Sequence, residues 1–373
     1  MKRYVIIAGE TSGDQYGSQL MDVLSSPGHP PVEFWGVGGN DMLQSGLNQF
    51  EEIKNVEVIG FSEAIKKIPY MTTLRQKIAR FVSEIKPHSV ILIDFPGFNL
   101  SVAKKIKSLS PATRIDFFIS PQIWAWNEKR GLTIKQYIDN MMVIFPFEEH
   151  FYNKHGINAK YVGHPFMDQW KPSNKKDLRK KLGLSLKKKL VGIFPGSRKQ
   201  EIEKHFPIYL NAAQKLMKDK RVECVVGLAP GFSKKQIQKS YNTSNIKIIT
   251  TTPLELLECC DAAIVTSGTI SLQSTFMNTP CVVAYKLSRI SGYISKLLIK
   301  VKYISMTNII ANQKIIPELI QNDVNADTLC LTINKLLHDE NYCNEVKYQM
   351  KIVTNQFVHK TKSINNVAAI ISK

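Results

Sequence analysis

The sequence predicts an α/β protein built of two doubly wound domains that face each other across a cleft. Three observations lead there. Short apolar runs alternate with amphipathic stretches along most of the chain, as βαβ units with parallel strands require. A Pro-, Ser-, Asn- and Lys-rich break between Asp168 and Lys189 separates two such series. In the second series, Pro195-Gly196-Ser197-Arg198 and Thr266-Ser267-Gly268-Thr269 each close an apolar run and open a helical one.

Taken in order, strands are expected at Tyr4–Ala8, Glu33–Val37, Ser89–Ile93, Arg114–Ile119, Asn140–Ile144 and Lys160–Val162. Continuous apolar runs of this kind suit strands covered by helices on both faces. They make up a first domain over residues 1–170. Residues 171–189 carry nine basic side chains against Asp177 alone and read as a solvated linker. The second domain, 190–340, starts with Leu190–Phe194 and continues through Glu223–Gly227, Lys247–Thr250, Ala262–Val265 and Cys281–Ala284. From Asp327 to Lys373 the pattern is helical, with no strand.

A chain of 373 residues is long enough for two ordinary cores, and 43% hydrophobic with 22% charged content suits a soluble globular protein. The six cysteines form no CxxC pair and no zinc spacing, so they read as reduced residues of a cytoplasmic protein. No run is long enough to span a bilayer, and the apolar start is too short for a signal peptide. Fifty basic against 31 acidic residues leave +19, which suits an anionic partner or simply a composition rich in Lys, Ile and Asn. Aromatics are not interleaved with the basic residues and no nucleic-acid signature occurs, so nucleic acid is not the expected partner. Val58–Met71 mixes apolar and basic residues, as does a helix lying on anionic lipid or one packed on its own domain.

In doubly wound sheets ligands bind beyond the carboxyl ends of the strands, so the motifs there carry the chemistry. Ala8-Gly9-Glu10-Thr11-Ser12-Gly13-Asp14 is a glycine turn in which Ser12 or Asp14 can cap the next helix. Glu10 is either an acid or base in the cleft or a helix-start carboxylate. Gly36-Val37-Gly38-Gly39 lets backbone approach a ligand or simply turns. Asp94, at the lip of an apolar strand in Asp94-Phe95-Pro96-Gly97-Phe98-Asn99, is placed to accept a proton from a substrate hydroxyl. Trp124 and Trp126 in Ser120-Pro121-Gln122-Ile123-Trp124-Ala125-Trp126 either pack under a loop or line a groove, with Lys129 and Arg130 supplying charge. His164 in Gly163-His164-Pro165 reads as structural. At the two later junctions Gly196 and Gly268 clear the way for an anion, Ser197, Ser267 and Thr269 offer hydroxyls, and Arg198 offers a fork for phosphate. There is no G-x-G-x-x-G, no Walker loop and no DxD triplet.

As an ordered set, these motifs closely resemble the lipid-A-disaccharide synthase family of glycosyltransferases. Pro146-Phe147-Glu148 and Asn308 in Thr307-Asn308-Ile309-Ile310-Ala311 extend the likeness, which runs from residue 4 to about 320. The resemblance implies the GT-B architecture of two Rossmann-like domains, with the tail 341–373 crossing back to pack on the first. It implies transfer of a sugar from UDP-2,3-diacylglucosamine to the 6-hydroxyl of 2,3-diacylglucosamine 1-phosphate, with inversion and with neither metal nor cofactor. Asp94 is then the base and Glu10 the second choice. Gly196, Ser197, Arg198, Ser267, Gly268, Thr269, Gln273 and Asn308 fall on the nucleotide side. Ser12, Gly38, Gly39, Asn99, Trp124, Trp126, Lys129 and Arg130 fall on the acceptor side. Attachment to the anionic cytoplasmic face of the bacterial inner membrane would account for the basic excess, and a homodimer is compatible with the likeness. Two positions depart from the family pattern. Gln273 stands where the family usually has Glu, which implies weaker UDP binding or a shifted role, and Asn312-Gln313 stands where Gly-Arg is frequent.

Overall fold

A computed structural model describes residues 1–28, 30–56, 61–229, 231–243, 245–250, 253–286 and 301–373, without the side chains of 54, 61–66 and 126. The chain forms two compact units, Met1–Gln169 with Phe357–Lys373, and Trp170–Gln356. The first holds a seven-stranded sheet in the order β3-β2-β1-β4-β5-β6-β7. Its strands are β1 Lys2–Ala8, β2 Val32–Gly38, β3 Leu47–Glu52, β4 Ser89–Ile93, β5 Ile115–Phe118, β6 Asn140–Val143 and β7 Ala159–Tyr161. The second holds six strands in the order β10-β9-β8-β11-β12-β13. These are β8 Lys189–Phe194, β9 Val222–Gly227, β10 Lys247–Ile249, β11 Ala262–Val265, β12 Cys281–Tyr285 and β13 Glu318–Ile320.

Every strand pair is parallel, so all carboxyl ends in a sheet share one edge. The central strands are fully buried, which is what their unbroken apolar runs require. The winding reverses between β1 and β4 in the first sheet and between β8 and β11 in the second. A crevice opens at such a reversal. In register Ala8 lies beside Ile93, and Phe194 beside Val265. The chain leaves these four strands into Glu10, Asp94, the Pro195–Arg198 turn and the Thr266–Thr269 turn.

β3 is mostly polar, as an edge strand can be, and β13, Glu-Leu-Ile, is too short to stand out. The basic stretch is largely solvated, but it is part of the second unit rather than a separate linker. Asn174 caps a helix over Lys175–Lys181 by accepting from the Lys176 amide at 2.9 Å. Arg179 is buried and grips Asp261 at 2.7 Å, and Lys175 holds the other carboxyl oxygen at 2.8 Å. Asp261 also accepts from the Leu190 amide, so the stretch belongs to the second unit.

The tail divides at Gln356. Helix Ala326–His338 packs on the second sheet and Glu340–Asn355 on the helices of that unit, and only Phe357–Lys373 joins the first unit. There Phe357, Ile364, Val367 and Ile371 are buried. Asp168 accepts from the amide and hydroxyl of Ser363. Arg114 and Lys2 bond the Ile370 and Ser372 carbonyls at the helix's negative end. No cysteine is bridged, and Cys224, Cys259, Cys260 and Cys281 are buried with their thiols pushed up by burial. No described helix is long and apolar enough to cross a membrane. Val58–Met71 lies partly outside the described residues; within it the helix Phe61–Ile85 exposes Ile68 and Tyr70.

Candidate active site

In the first unit the ends of β4 and β5 are held in an unusual backbone. Asp94 (φ +46°), Phe95 (φ +49°) and Ile119 (φ +67°) all occupy the left-handed region. For L-residues that costs about 1–2 kcal/mol each. Such conformations cluster where the surrounding structure over-determines a functional geometry. The determinants are visible here. The Asp94 amide donates to Phe118 O at 2.9 Å. Asn99 is fully buried and its Nδ2 donates to Asp94 O at 2.7 Å and Ile93 O at 3.2 Å. Asn99 therefore pins the turn from beneath, which is a different task from the acceptor contact expected of it. Gly9 is required because the Phe95 ring lies over it: a Cβ there would come within 2.3 Å of a ring carbon.

Burial, and then the negative charge of Glu10, push the Asp94 carboxyl up to about 6. Glu10 is exposed at the start of the Thr11–Leu24 helix and makes no capping bond, so its carboxylate stays available. Ser12 is exposed in the same first turn. Tyr16, one turn further on, has its phenol raised by burial and by Asp94. Tyr16 was invisible in the sequence reading, although its position on the helix that begins at Glu10 could have suggested it.

Asp14 does not cap its own helix. Its carboxylate accepts from the Gly39, Asp41 and Met42 amides at 2.7, 3.0 and 3.1 Å, capping the short helix Asn40–Gln44. A Cβ at Gly39 would lie 2.4 Å from Asp14 Oδ2, and one at Gly38 would lie 2.8 Å from Leu47 and Met42. Both glycines thus answer to local packing. Trp124 is also turned inward, 8% exposed, with its indole donating to Glu148 at 3.0 Å. Of the charged pair that follows, Lys129 is exposed and Arg130 half-buried. The side chain of Trp126 lies outside the described residues.

In the second unit the two turns differ from each other. After β8, the Ser197 and Arg198 amides donate to Glu201 Oε2 at 2.9 and 3.2 Å, a capping-box contact onto the Lys199–Leu216 helix. A Cβ on Gly196 (φ +125°) would be 2.6 Å from the Glu201 side chain. This turn keeps its amides for itself, contrary to the cradle expected, and offers the Arg198 guanidinium, which is 79% exposed. Glu201 was missed because Arg198 stands where a capping box has Ser or Thr, so the sequence carries no capping signature there.

After β11 the geometry is open. Gly268 (φ +138°) is the N-cap of the Thr269–Phe276 helix, with no side-chain cap and, among the described residues, nothing within 4 Å of the space a Cβ would fill. First-turn amides of a helix without a cap are donors for an anion. The Ser267 hydroxyl donates to Ile304 O at 2.8 Å and retains its lone pairs as acceptors. Thr269 is exposed and Gln273 half-buried one turn on along the same helical face.

Asn308 does not reach outward. It is fully buried, and its amide is used up: Nδ2 donates to Ile316 O and Glu318, both at 2.8 Å, while Oδ1 accepts from the Ile315 and Ile316 amides. Glu318 completes the clasp by accepting from the Ile304 and Ser305 amides. A buried amide with both donors and both acceptors satisfied has nothing left for a nucleotide, so Asn308 shapes the segment from Ile304 to Ile316 instead. Gln313 bonds Gln349 at 3.0 Å on the surface.

Each unit therefore brings a distinct chemistry to its strand-end crevice: paired carboxylates in the first, an arginine and an uncapped helix start in the second. The family model for lipid-A-disaccharide synthetase matches residues 4–371. The lipid-A-disaccharide synthase of Myxococcus xanthus is 33% identical over 338 residues, covering 90% of this chain and 88% of that protein. Lipid-A-disaccharide synthase 1 of Legionella pneumophila is 34% identical over 371 residues, 98% of this chain and 94% of that protein. Among solved structures, UDP-GlcNAc 2-epimerase from Neisseria meningitidis superposes over 100% of both chains with a TM-score of 0.64 at 10% identity. A glycosyltransferase from Rickettsia africae gives 0.57 at 12% identity over 99% of this chain and 97% of its own. At those identities the likeness is one of fold, the two Rossmann-like units of GT-B enzymes. The chain belongs to the lipid-A-disaccharide synthetase family, and is a hexosyltransferase of lipid A disaccharide synthesis.

Proposed function

We propose that the chain transfers 2,3-diacylglucosamine from its UDP derivative to the 6-hydroxyl of 2,3-diacylglucosamine 1-phosphate, inverting the anomeric centre without a metal ion. The observation that carries this is Asp94, a carboxylate raised to about 6 on a strained strand end beside a second carboxylate, Glu10. At neutral pH it is largely ionised yet still basic enough to take a hydroxyl proton. In a single displacement Asp94 removes the proton from O6, the O6–C1 bond forms, and the C1–phosphate bond breaks with its electron pair leaving on UDP. Glu10 is the second candidate for the base.

The departing diphosphate needs positive charge. Arg198 supplies a fixed cation, and the uncapped start at Gly268–Thr269 supplies amides at the positive end of a helix. With no DxD triplet in the sequence, these groups take the place of a bridging metal. Gln273, one turn behind Thr269, falls to the ribose hydroxyls by the family pattern. The acyl chains of both substrates and the +19 charge suit work at the anionic cytoplasmic face of the inner membrane.

The test is UDP release from both lipid substrates in mild detergent with EDTA, comparing wild type with Asp94→Asn. Asparagine keeps the shape and tolerates the left-handed backbone. A loss of about 10²–10⁴-fold in kcat is expected. Full activity of Asp94→Asn would remove Asp94 as the base, and dependence on added divalent metal would overturn the metal-free scheme.

A further inference from the structure

Glu148 is a carboxyl that the transfer scheme leaves without a role. It sits in the first turn of the Pro146–Lys154 helix and is 0% exposed. A glutamate at that position ordinarily caps the helix from the surface, with one oxygen on backbone and the other in water. Here Oε2 accepts from the Phe145 amide at 3.3 Å, and Oε1 from the Trp124 indole at 3.0 Å. Among the described residues no cation pairs with it. Burial raises its carboxyl to about 7. Helix capping accounts for one oxygen. It does not account for a carboxyl enclosed where its charge is expensive.

The other contacts of this helix give the reason. Tyr152, four residues on and on the same face, donates its hydroxyl to the Pro121 carbonyl. The helix thus holds the segment that follows β5 at two points, Pro121 through Tyr152 and Trp124 through Glu148. That segment leaves the sheet at Ile119, whose backbone is left-handed, and β5 is the strand that carries Asp94's own anchor: the Asp94 amide donates to Phe118 O. The Phe147 ring packs edge-on to Trp124 at 5.1 Å and fixes the indole plane. A bond from an N–H to a carboxylate is shorter and stronger than one to a neutral oxygen, so the hold is stiffest above about pH 7, where Glu148 is mostly ionised.

We propose that Glu148 is a positioning residue for the transfer reaction: through the Trp124 indole it holds the Ser120–Trp126 segment as the acceptor-side wall next to Asp94. This rests on the reading of Asp94 as the base. Steady-state kinetics on the full chain, varying donor and acceptor separately, test it with Glu148→Gln, Trp124→Phe and the double variant. Gln keeps an acceptor and loses the charge, and Phe keeps a ring and loses the donor. Each single variant is expected to raise the acceptor KM about five- to fiftyfold, in line with a charge-assisted bond, with the donor KM within about twofold. The double variant should be no worse than the worse single one, since both cut the same bond. If Glu148→Gln fails to fold, Trp124→Phe carries the same prediction. Equal rises in both KM values, or a lower melting temperature with unchanged KM, would reduce Glu148 to core packing. No transfer by wild type would instead sink the base assignment itself, and this inference with it.

Discussion

Asp94 works against the ordinary behaviour of an aspartate, since burial and the nearby Glu10 both favour its protonated form. The catalytic rate should therefore have an acid limb near pH 6, falling tenfold per unit below it. Glu10→Gln removes a negative neighbour, makes ionisation of Asp94 easier and should move that limb to lower pH. A limb that stays put or moves upward would show that Glu10 does not act on the base. The same shift has a stability consequence. The folded state binds its extra proton between the ordinary carboxylate value, about 4, and about 6. That contribution is full at low pH and is lost as pH rises through 6. Asp94→Asn should accordingly be more stable than wild type at pH 7.5 by about 2–3 kcal/mol, read from denaturant midpoints. The position of Asp94 was legible because a charge closing an apolar run has few places to go. Asn308 was not, because a side chain's satisfaction by Ile315, Ile316 and Glu318 depends on a fold-back that no local pattern announces.

At the scale of elements, the turn Pro195–Arg198 shows how one pattern serves two purposes. A glycine followed by Ser and Arg before a helix fits a phosphate cradle and a capping box equally well. What separates them is Glu201, whose carboxylate occupies the Ser197 and Arg198 amides. Gly196 is needed for its positive φ and because Glu201 fills the room where a Cβ would go. Gly196→Ala should displace Glu201, loosen the base of Arg198 and destabilise the protein by about 1–3 kcal/mol. Thermal unfolding together with UDP titration checks this: stability and UDP affinity should fall together. Unchanged UDP affinity in a destabilised variant would mean that this turn does not hold the nucleotide. At the contrasting turn, among the described residues, nothing lies within 4 Å of where a Gly268 Cβ would go, so there the glycine answers to its positive φ alone.

For the molecule as a whole, parallel strands and their carboxyl-edge motifs were readable because buried strands advertise themselves as unbroken apolar runs. The edges β3 and β13 were not, since the first is mostly polar and the second only three residues long, and neither was the point where the tail changes units. The pattern from Asp327 to Lys373 is helical, but it shows neither the division into three helices nor which core each one covers. The break at Gln356 follows from partners far away in sequence: Asp168 for Ser363, Val162 for Asn366, Arg114 and Lys2 for the last carbonyls. Phe357–Lys373 thus behaves as a structural piece of the first unit, supplied from the other end of the chain. Its buried Phe357, Ile364, Val367 and Ile371 contribute about 1.5–3 kcal/mol each. Together that is about 6–12 kcal/mol, comparable with the whole stability of an ordinary domain. A chain ending at Gln356 should therefore lose the cooperative unfolding of its first unit while the second still melts as a unit, since Ala326–Asn355 stays in place. Calorimetry separates the two transitions, and adding the 357–373 peptide in excess should restore the first in part by mass action. Two intact transitions in the truncated chain would show that the terminal helix is an accessory, and that the first sheet closes its own core without it.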